Sequence, residues 1–335
     1  MPLSKASTRR IRVILGIIFV IIVTTILLHI LYRPPFQKRS EIMMDTLWTV
    51  TVPGGKNVLV AINAVFARER EIDEKFSIIN VNSVLNRFNR EGTPITDPEV
   101  IAVIRQSFVI SDLTKGAFDI TVGHLVNAFG FYSREFRVPS PDEIHTLLHY
   151  VGYKKYLVLS GNVLTKNDPH VEIDLGGITK GYALSEAARI LREHHIKNAL
   201  IDAGGDIYAM GLSPVHRPWR IGIRNPRGEG VIGEVQASDQ VIYSSGDYER
   251  YFMSGGKRYF HIFNPKTGYP AWGLIASTLI CADPFVGAGL SSAVVVMGSE
   301  KGLRFINSLP HIAGLVVDEQ ERIHYSDELK KNASH

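Results

Sequence analysis

The stretch Asp174-Leu175-Gly176-Gly177-Ile178-Thr179-Lys180-Gly181-Tyr182-Ala183 reads as a strand end, a two-glycine turn and a helix start. The strand is expected over 172–174 and the helix from 178 to about 194, where apolar side chains recur at helical spacing. Bare backbone amides at such a helix start attract an anion, and Lys180 adds a cation. The spacing suits a pyrophosphate or a metal–phosphate unit. It equally suits an ordinary tight turn with Lys180 on the solvated face.

Outward from this turn, helices and strands alternate without a regular βαβ rhythm. Strand-like runs precede it at 155–159 and 163–165. Others follow at 200–202, 207–210, 219–223, 233–237, 240–244, 259–263, 277–282, 313–317 and 322–325. Helical patterns are expected at 287–297 and 300–309. Nearer the N-terminus, 45–52 alternates as a strand, with 58–62 as its hairpin partner across Pro53-Gly54-Gly55. Residues 64–80 have helical spacing, with Val65, Ile72, Phe76 and Ile79 inside and Arg68, Glu69, Arg70 and Glu71 outside. Asp97-Pro98-Glu99 opens a helix to about 114, with Asp97 as N-cap and Pro98 at its first position. Pro141-Asp142-Glu143 repeats that signal for a helix to about 150. The order predicts an α+β fold of mixed or antiparallel sheets with packed helices.

A single apolar segment precedes this body. Residues 13–32 (VILGIIFVIIVTTILLHILY) form a 20-residue run, about 30 Å as a helix, enough for a hydrocarbon core. The threonines can bond back to the helix, and Pro34-Pro35 stops it. A cleaved signal peptide would have a shorter core and a small-residue cleavage site, and neither is present. Lys5, Arg9, Arg10 and Arg12 hold the N-terminus in the cytoplasm. The expected organisation is therefore a basic segment over 1–12, a transmembrane helix over 13–32 in contact with the lipid bilayer, and a tether over 33–42. One folded domain over 43–326 and a polar tail over 327–335 complete it. The 335-residue chain has a formal charge of +4, but without those four residues the remaining 33 basic side chains match the 33 acidic ones. The basicity is thus a membrane-topology signal, and no nucleic-acid partner is expected. A single cysteine, Cys281, excludes an intrachain disulfide and any multi-cysteine metal site.

Four further segments combine glycine with chemistry-bearing side chains. They are Gly116-Ala117-Phe118-Asp119, Asp202-Ala203-Gly204-Gly205-Asp206, Ser244-Ser245-Gly246-Asp247-Tyr248-Glu249-Arg250, and His261-Ile262-Phe263-Asn264-Pro265-Lys266-Thr267-Gly268. Each alone fits a cap, a hairpin turn or a polar loop. None matches a P-loop, a dinucleotide fingerprint or a serine-hydrolase elbow.

Taken in order, with Met44-Asp45-Thr46, Ser83, Arg87 and Asn89 before them and SSAVVVMG after, these segments resemble the ApbE family of FAD:protein FMN transferases. The resemblance spans about residues 43–298. It implies that FAD is the substrate and that Mg²⁺ sits at its pyrophosphate. It also implies that FMN passes through a phosphoester to a threonine of an extracytoplasmic target flavoprotein, with release of AMP. Bacterial members work outside the cytoplasm. The resemblance therefore implies a single-pass protein of the bacterial inner membrane with a periplasmic domain. Residue by residue, it implies FAD contacts at Met44, Ala117, Phe118, Asp119, Asp174, Lys180, His261 and Ile262. It further implies Mg²⁺ ligands at Gly177 and Ser292, and His261 as the group that positions or deprotonates the nucleophile. Tyr248 and Arg250 are further pocket candidates. Two positions depart from the family pattern. Ala288 stands where a metal-binding Asp is usual, which weakens the metal site unless Asp283 or another acid substitutes. Ile79 stands where an aromatic side chain is common. The alternatives are an FAD-binding protein with weak or no transfer, or an FAD pyrophosphatase.

Overall fold

The computed structural model describes residues 14–25, 36–55 and 57–333. Residues 14–25 form helix α1, with apolar side chains facing outward. Thr24 and Thr25 each donate to the carbonyl four residues back, Val20 and Ile21, at 2.8 Å. Hydroxyls are thereby satisfied inside the helix, as the sequence suggested. Residues 13 and 26–32 of the expected span lie outside the described residues. Among the described residues no helix is long and apolar enough to cross a membrane.

One eight-stranded sheet organises the domain, in the order β1 (Phe36–Met43), β2 (Thr46–Pro53), β5 (Ala199–Ala203), β6 (Asp206–Met210), β9 (Gln240–Gly246), β12 (Ala276–Cys281), β13 (Ala313–Val317), β14 (Ile323–Tyr325). Every described pairing in it is antiparallel. Three hairpins stand apart: β3 (Leu157–Ser160) with β4 (Val163–Lys166), β7 (Trp219–Arg224) with β8 (Val231–Ala237), and β10 (Tyr251–Ser254) with β11 (Lys257–Phe260). The helices are α2 (Val58–Phe76), α3 (Val84–Glu91), α4 (Pro98–Leu113), α5 (Gly123–Ala128), α6 (Pro141–Leu148), α7 (Tyr153–Tyr156), α8 (Gly176–Glu193), α9 (Pro284–Met297), α10 (Ser299–Ser308) and α11 (Asp327–Ala333). The α+β expectation holds, with antiparallel rather than mixed sheets.

Both faces of the central sheet are covered. Helices α2, α8 and α9 pack on one face around Trp48, Val50, Phe66, Leu184 and Leu290. The β7–β8 hairpin and Leu329 of α11 close the other face over Ile242, Ile280 and Leu315. This explains why β12 and β13 are buried along their whole length and read as unbroken apolar runs. A third cluster of Phe129, Phe131, Ile144 and Phe263 supports the β10–β11 end.

Several sequence expectations are corrected. Residues 58–62 are the first turns of α2, not a strand, and β2 pairs instead with β1, which occupies most of the expected tether. Strand β1 alternates exposed and half-buried residues and carries Lys38, Arg39 and Glu41, the charged character of a sheet edge. The expected polar tail contains α11. Residues 155–156 belong to α7, and 172–174 is extended but unpaired as a ladder. Glu69 lies inside, on the buried stripe of α2 with Ile62, Val65, Phe66, Ile72 and Phe76. Ile79 lies beyond that helix and is exposed. The helix starts at Pro98 and Pro141 are as expected, with Asp97 and Ser140 as caps, each side chain accepting from amides of the first turn.

Candidate active site

Helix α8 starts at Gly176 with both glycines exposed and no side-chain cap. The turn lies at the positive end of an 18-residue helix; the Ile178 and Thr179 amides donate to the Leu175 carbonyl at 3.0 and 2.9 Å, which leaves the Gly177 amide as the one turned to the exposed glycine pair. Asp174 anchors the turn. Its Oδ1 accepts from the Gly176 amide at 2.6 Å and its Oδ2 from the Tyr132 hydroxyl at 2.7 Å. Burial and the Asp174 carboxylate keep the Tyr132 phenol protonated, well above its ordinary pKa.

Helix α9 runs beside α8, and small residues let the two approach. A Cβ on Gly181 would meet Ala288 Cβ at 2.8 Å and the Tyr243 hydroxyl at 3.0 Å. One turn nearer the start of α8, a Cβ on Gly177 would lie 3.6 Å from Ser292 Oγ and 3.1 Å from the Phe118 ring. Gly177, Ser292 and Phe118, distant in sequence, thus form one corner.

The β5–β6 turn reaches the same place. Gly204 and Gly205 both have positive φ (68° and 95°), which the two-residue hairpin requires. Asp202 Oδ1 accepts from the Gly205 amide at 2.8 Å and so completes the turn. Asp206 points elsewhere. It is 4% exposed, one oxygen holds Lys180 Nζ in an ion pair, and the other accepts from the Ser244 amide at 3.3 Å. Burial pushes the Asp206 pKa up, and Lys180 opposes that rise. Hydroxyls continue behind the pair: Ser244 Oγ lies 3.3 Å from Thr278 Oγ1, and Ser291 Oγ donates to Ser245 Oγ at 2.9 Å.

His261 follows β11 and is half-buried, with its Nδ1 buried and unpartnered. Burial pushes its pKa down to about 3, and the positive charges of Arg250 and Lys180 push the same way. The imidazole is therefore neutral at physiological pH. Arg250 accepts the His261 amide on its carbonyl at 3.1 Å and donates to the Phe131 carbonyl at 3.4 Å. It also faces Asp45 at 3.8 Å, and Arg134 bonds the same carboxylate at 3.0 Å. Asp45 belongs to the β1–β2 turn, which carries Met44. Burial raises the Glu249 pKa, and its field reaches Arg224, Lys180 and Asp206.

Of the residues expected from sequence, Phe118, Gly177 and Ser292 meet directly. Lys180 and His261 share one electrostatic environment, and the Met44 turn joins it through Asp45 and Arg250. Met44 itself is half-buried, its amide donating to Asp73 at 3.1 Å. Asp119 turns into its own loop, accepting from Thr121 N (2.9 Å), Thr121 Oγ1 (2.6 Å) and Tyr153 N (3.2 Å). Ala117 lines a neighbouring cleft of about 390 Å³ with Lys115, Lys266 and Lys301. Ile262 is buried in the main core. Sequence reasoning left out Tyr132 and Asp206. The second lay within a motif already singled out; the first carries no local signal.

The donors for a divalent cation are few. Gly177 offers a carbonyl and Ser292 a hydroxyl, while Ala288 offers none. Asp283 does not replace it. Its Oδ1 caps α9 through the Phe285 (2.8 Å) and Val286 (3.3 Å) amides. It sits nine residues, about 13 Å of helix, before Ser292. Among the described residues no three His, Cys, Asp or Glu side chains are grouped to hold a metal. A hard cation prefers carboxylate oxygens, so the protein's own donors do not fit a resident Mg²⁺ centre.

The ApbE family model matches residues 44–316. This chain belongs to the ApbE family. It is 31% identical over 270 residues to the FAD:protein FMN transferase of Vibrio cholerae, covering 78% of this chain and 80% of that protein. The Haemophilus influenzae protein of the same name is 33% identical over 248 residues, 70% of this chain and 71% of that one. Among solved structures, the ApbE protein of Thermotoga maritima superposes with a TM-score of 0.83 at 35% identity, over 89% of this chain and 99% of that one. The flavin transferase ApbE of Vibrio cholerae gives 0.79 at 27% identity, over the same shares. The ApbE-like α+β fold is thereby established.

Proposed function

We propose that this ApbE protein is a membrane-anchored FAD:protein FMN transferase working outside the cytoplasm. The observation that carries the activity is its similarity, over more than two thirds of the chain, to relatives named FAD:protein FMN transferase. The anchor rests on the apolar run at 13–32 and the basic residues before it.

The reaction joins the oxygen of an acceptor threonine to the phosphorus that bears riboflavin. The bond from that phosphorus to the AMP oxygen breaks, and AMP leaves with the electron pair. The hydroxyl proton passes to a base. Such chemistry needs positioning and charge neutralisation more than covalent help. The Gly177 amide at the positive end of α8 and the Lys180 ammonium supply positive potential for the pyrophosphate. Phe118 supplies an apolar wall. Among the described residues His261 is the imidazole of the cluster and is neutral, so it is free to accept. In the empty site it is a weak base, because burial, Arg250 and Lys180 all disfavour its protonated form. A bound pyrophosphate neutralises those two cations and raises the basicity of His261 when substrate is in place. No step is assigned to a metal, because the protein donors do not fit one.

Ala288 favours a second reading, a protein that holds FAD but transfers slowly. Product analysis separates these readings. The full-length protein is incubated with FAD, with and without an acceptor domain, and AMP and FMN are quantified. Transfer gives AMP that depends on acceptor, with no free FMN. Equal free FMN and AMP without acceptor would show a pyrophosphatase. Bound FAD with neither product would show a binding protein.

A further inference from the structure

We propose that Asp206 is a positioning residue for the flavin dinucleotide: it holds the Lys180 ammonium one turn from the exposed Gly176–Gly177 start of α8, so removing this anion weakens the binding of an anionic ligand. This rests on the FAD reading above.

The two acids of the β5–β6 turn divide their work. Asp202 completes the turn through the Gly205 amide, so the hairpin does not depend on Asp206. Asp206 is buried, and its carboxylate is spent on Lys180 and the Ser244 amide. Burying a carboxylate is costly unless it is paired. Here the partner is a lysine whose side chain is 34% exposed, one helical turn past Gly177. The arrangement is thus a buried anion beneath a half-exposed cation. A lysine has a flexible stem and loses rotamer freedom when fixed. Asp206 imposes that loss before any ligand arrives, which is preorganisation. Charge alone makes the opposite forecast. Asp206 is a negative charge near the place of a pyrophosphate, and deleting it should strengthen anion binding. The other titratable groups around the pair are Tyr243 of β9, Tyr248 and Glu249 from the segment after it, His261 after β11 and Asp202 across the turn.

The test uses the full-length protein in mild detergent, with affinities for FAD and for riboflavin measured by flavin fluorescence. Riboflavin lacks the pyrophosphate and reports general pocket integrity. In Asp206→Asn, FAD should bind roughly 10- to 100-fold more weakly, the range of a lost charge-assisted contact, while riboflavin affinity changes less than about twofold. Lys180→Met should lose FAD affinity similarly, and the double variant should lose no more than Lys180→Met alone. Unchanged or tighter FAD binding by Asp206→Asn would overturn the proposal, as would full additivity in the double variant. If Asp206→Asn does not fold, Asp206→Glu decides. It keeps the charge but displaces the ammonium, so FAD affinity should still fall, and an unchanged value overturns the proposal. A wild-type chain that binds riboflavin but not FAD would instead sink the FAD reading, and this inference with it.

Discussion

Glu69 gives the sharpest stability forecast. It is 0% exposed on the inward stripe of α2, and neither carboxylate oxygen has a hydrogen-bond partner. Its neighbour Arg68 is already committed to Glu71 at 3.1 Å, Glu186 at 3.0 Å and Glu99. Burial therefore raises the Glu69 pKa well above its ordinary value, and the nearby acids Glu186 and Asp73 add to the rise. The fold therefore favours the protonated, neutral form of the side chain. Replacing it by Met keeps the length and removes the unsatisfied oxygens. The gain should be about 1–3 kcal/mol at low pH, the cost of an unpaired buried polar group. The pH dependence has a fixed sign. Below about pH 4.3 both the folded and the unfolded carboxyl hold the proton, and the wild type has its full stability. Above it, the unfolded chain ionises while the folded one stays protonated. Wild-type stability then falls by up to about 1.4 kcal/mol per pH unit until the raised folded pKa is reached. Glu69→Met lacks that loss, so its advantage widens as pH rises. Urea melts of both proteins at pH 4, 5, 6 and 7 measure the gap. A gap that stays constant with pH, or a variant less stable at every pH, would refute the reasoning.

Three other outcomes are expected. Gly204→Ala should destabilise by about 2–4 kcal/mol, because φ is +68° and the new Cβ overlaps Thr46 Oγ1. Gly205→Ala, with φ +95° and nothing within 4 Å, should cost only about 1–2 kcal/mol; equal melting shifts would mean that the Thr46 overlap relaxes. Ala288→Asp puts a carboxylate at a 6% exposed position facing Gly181, so stability should fall by about 1–3 kcal/mol. In exchange FAD binding should become Mg²⁺-dependent, and calorimetry showing no difference between Mg²⁺ and EDTA would mean that position 288 does not face the site. In an NMR titration of the free protein from pH 5 to 8, the imidazoles of His124 and His261 should stay neutral, because burial pushes them down to about 4 and about 3. A His261 midpoint near 6.5, assigned by its loss in His261→Gln, would contradict the buried, cation-flanked placement.

The sequence was legible where local chemistry leaves a signature. Asp97-Pro98 and Ser140-Pro141 mark helix starts because cap and proline act within one turn. The apolar runs of β12 and β13 are readable because both faces are buried. Legibility failed where the deciding partner is far along the chain. Strand β1 has no apolar alternation, since it is an edge held by backbone pairing to β2 through a turn with positive φ at Met44 and Asp45. Residues 58–62 carry the β-branched Val58, Val60 and Ile62 and are short enough to suggest a strand, and only continuation to Val65 and Phe66 reveals helical period. Glu69 was misplaced because a charged residue amid Arg68, Arg70 and Glu71 reads as surface. In the site, the glycine turns pointed to Lys180 and Gly177. The buried partner of Lys180 and the phenol on Asp174 emerged only once β6 and the segment after α5 were brought against α8.

The most direct test of the transferase reading is mass spectrometry of an acceptor domain incubated with FAD, Mg²⁺ and the full-length protein. The account predicts that the acceptor gains the mass of one FMN at a single threonine. The gain should disappear when that threonine is replaced by alanine and when His261→Gln replaces the wild-type enzyme. An acceptor that stays unlabelled while the protein binds FAD tightly would contradict the account and leave a flavin-binding protein.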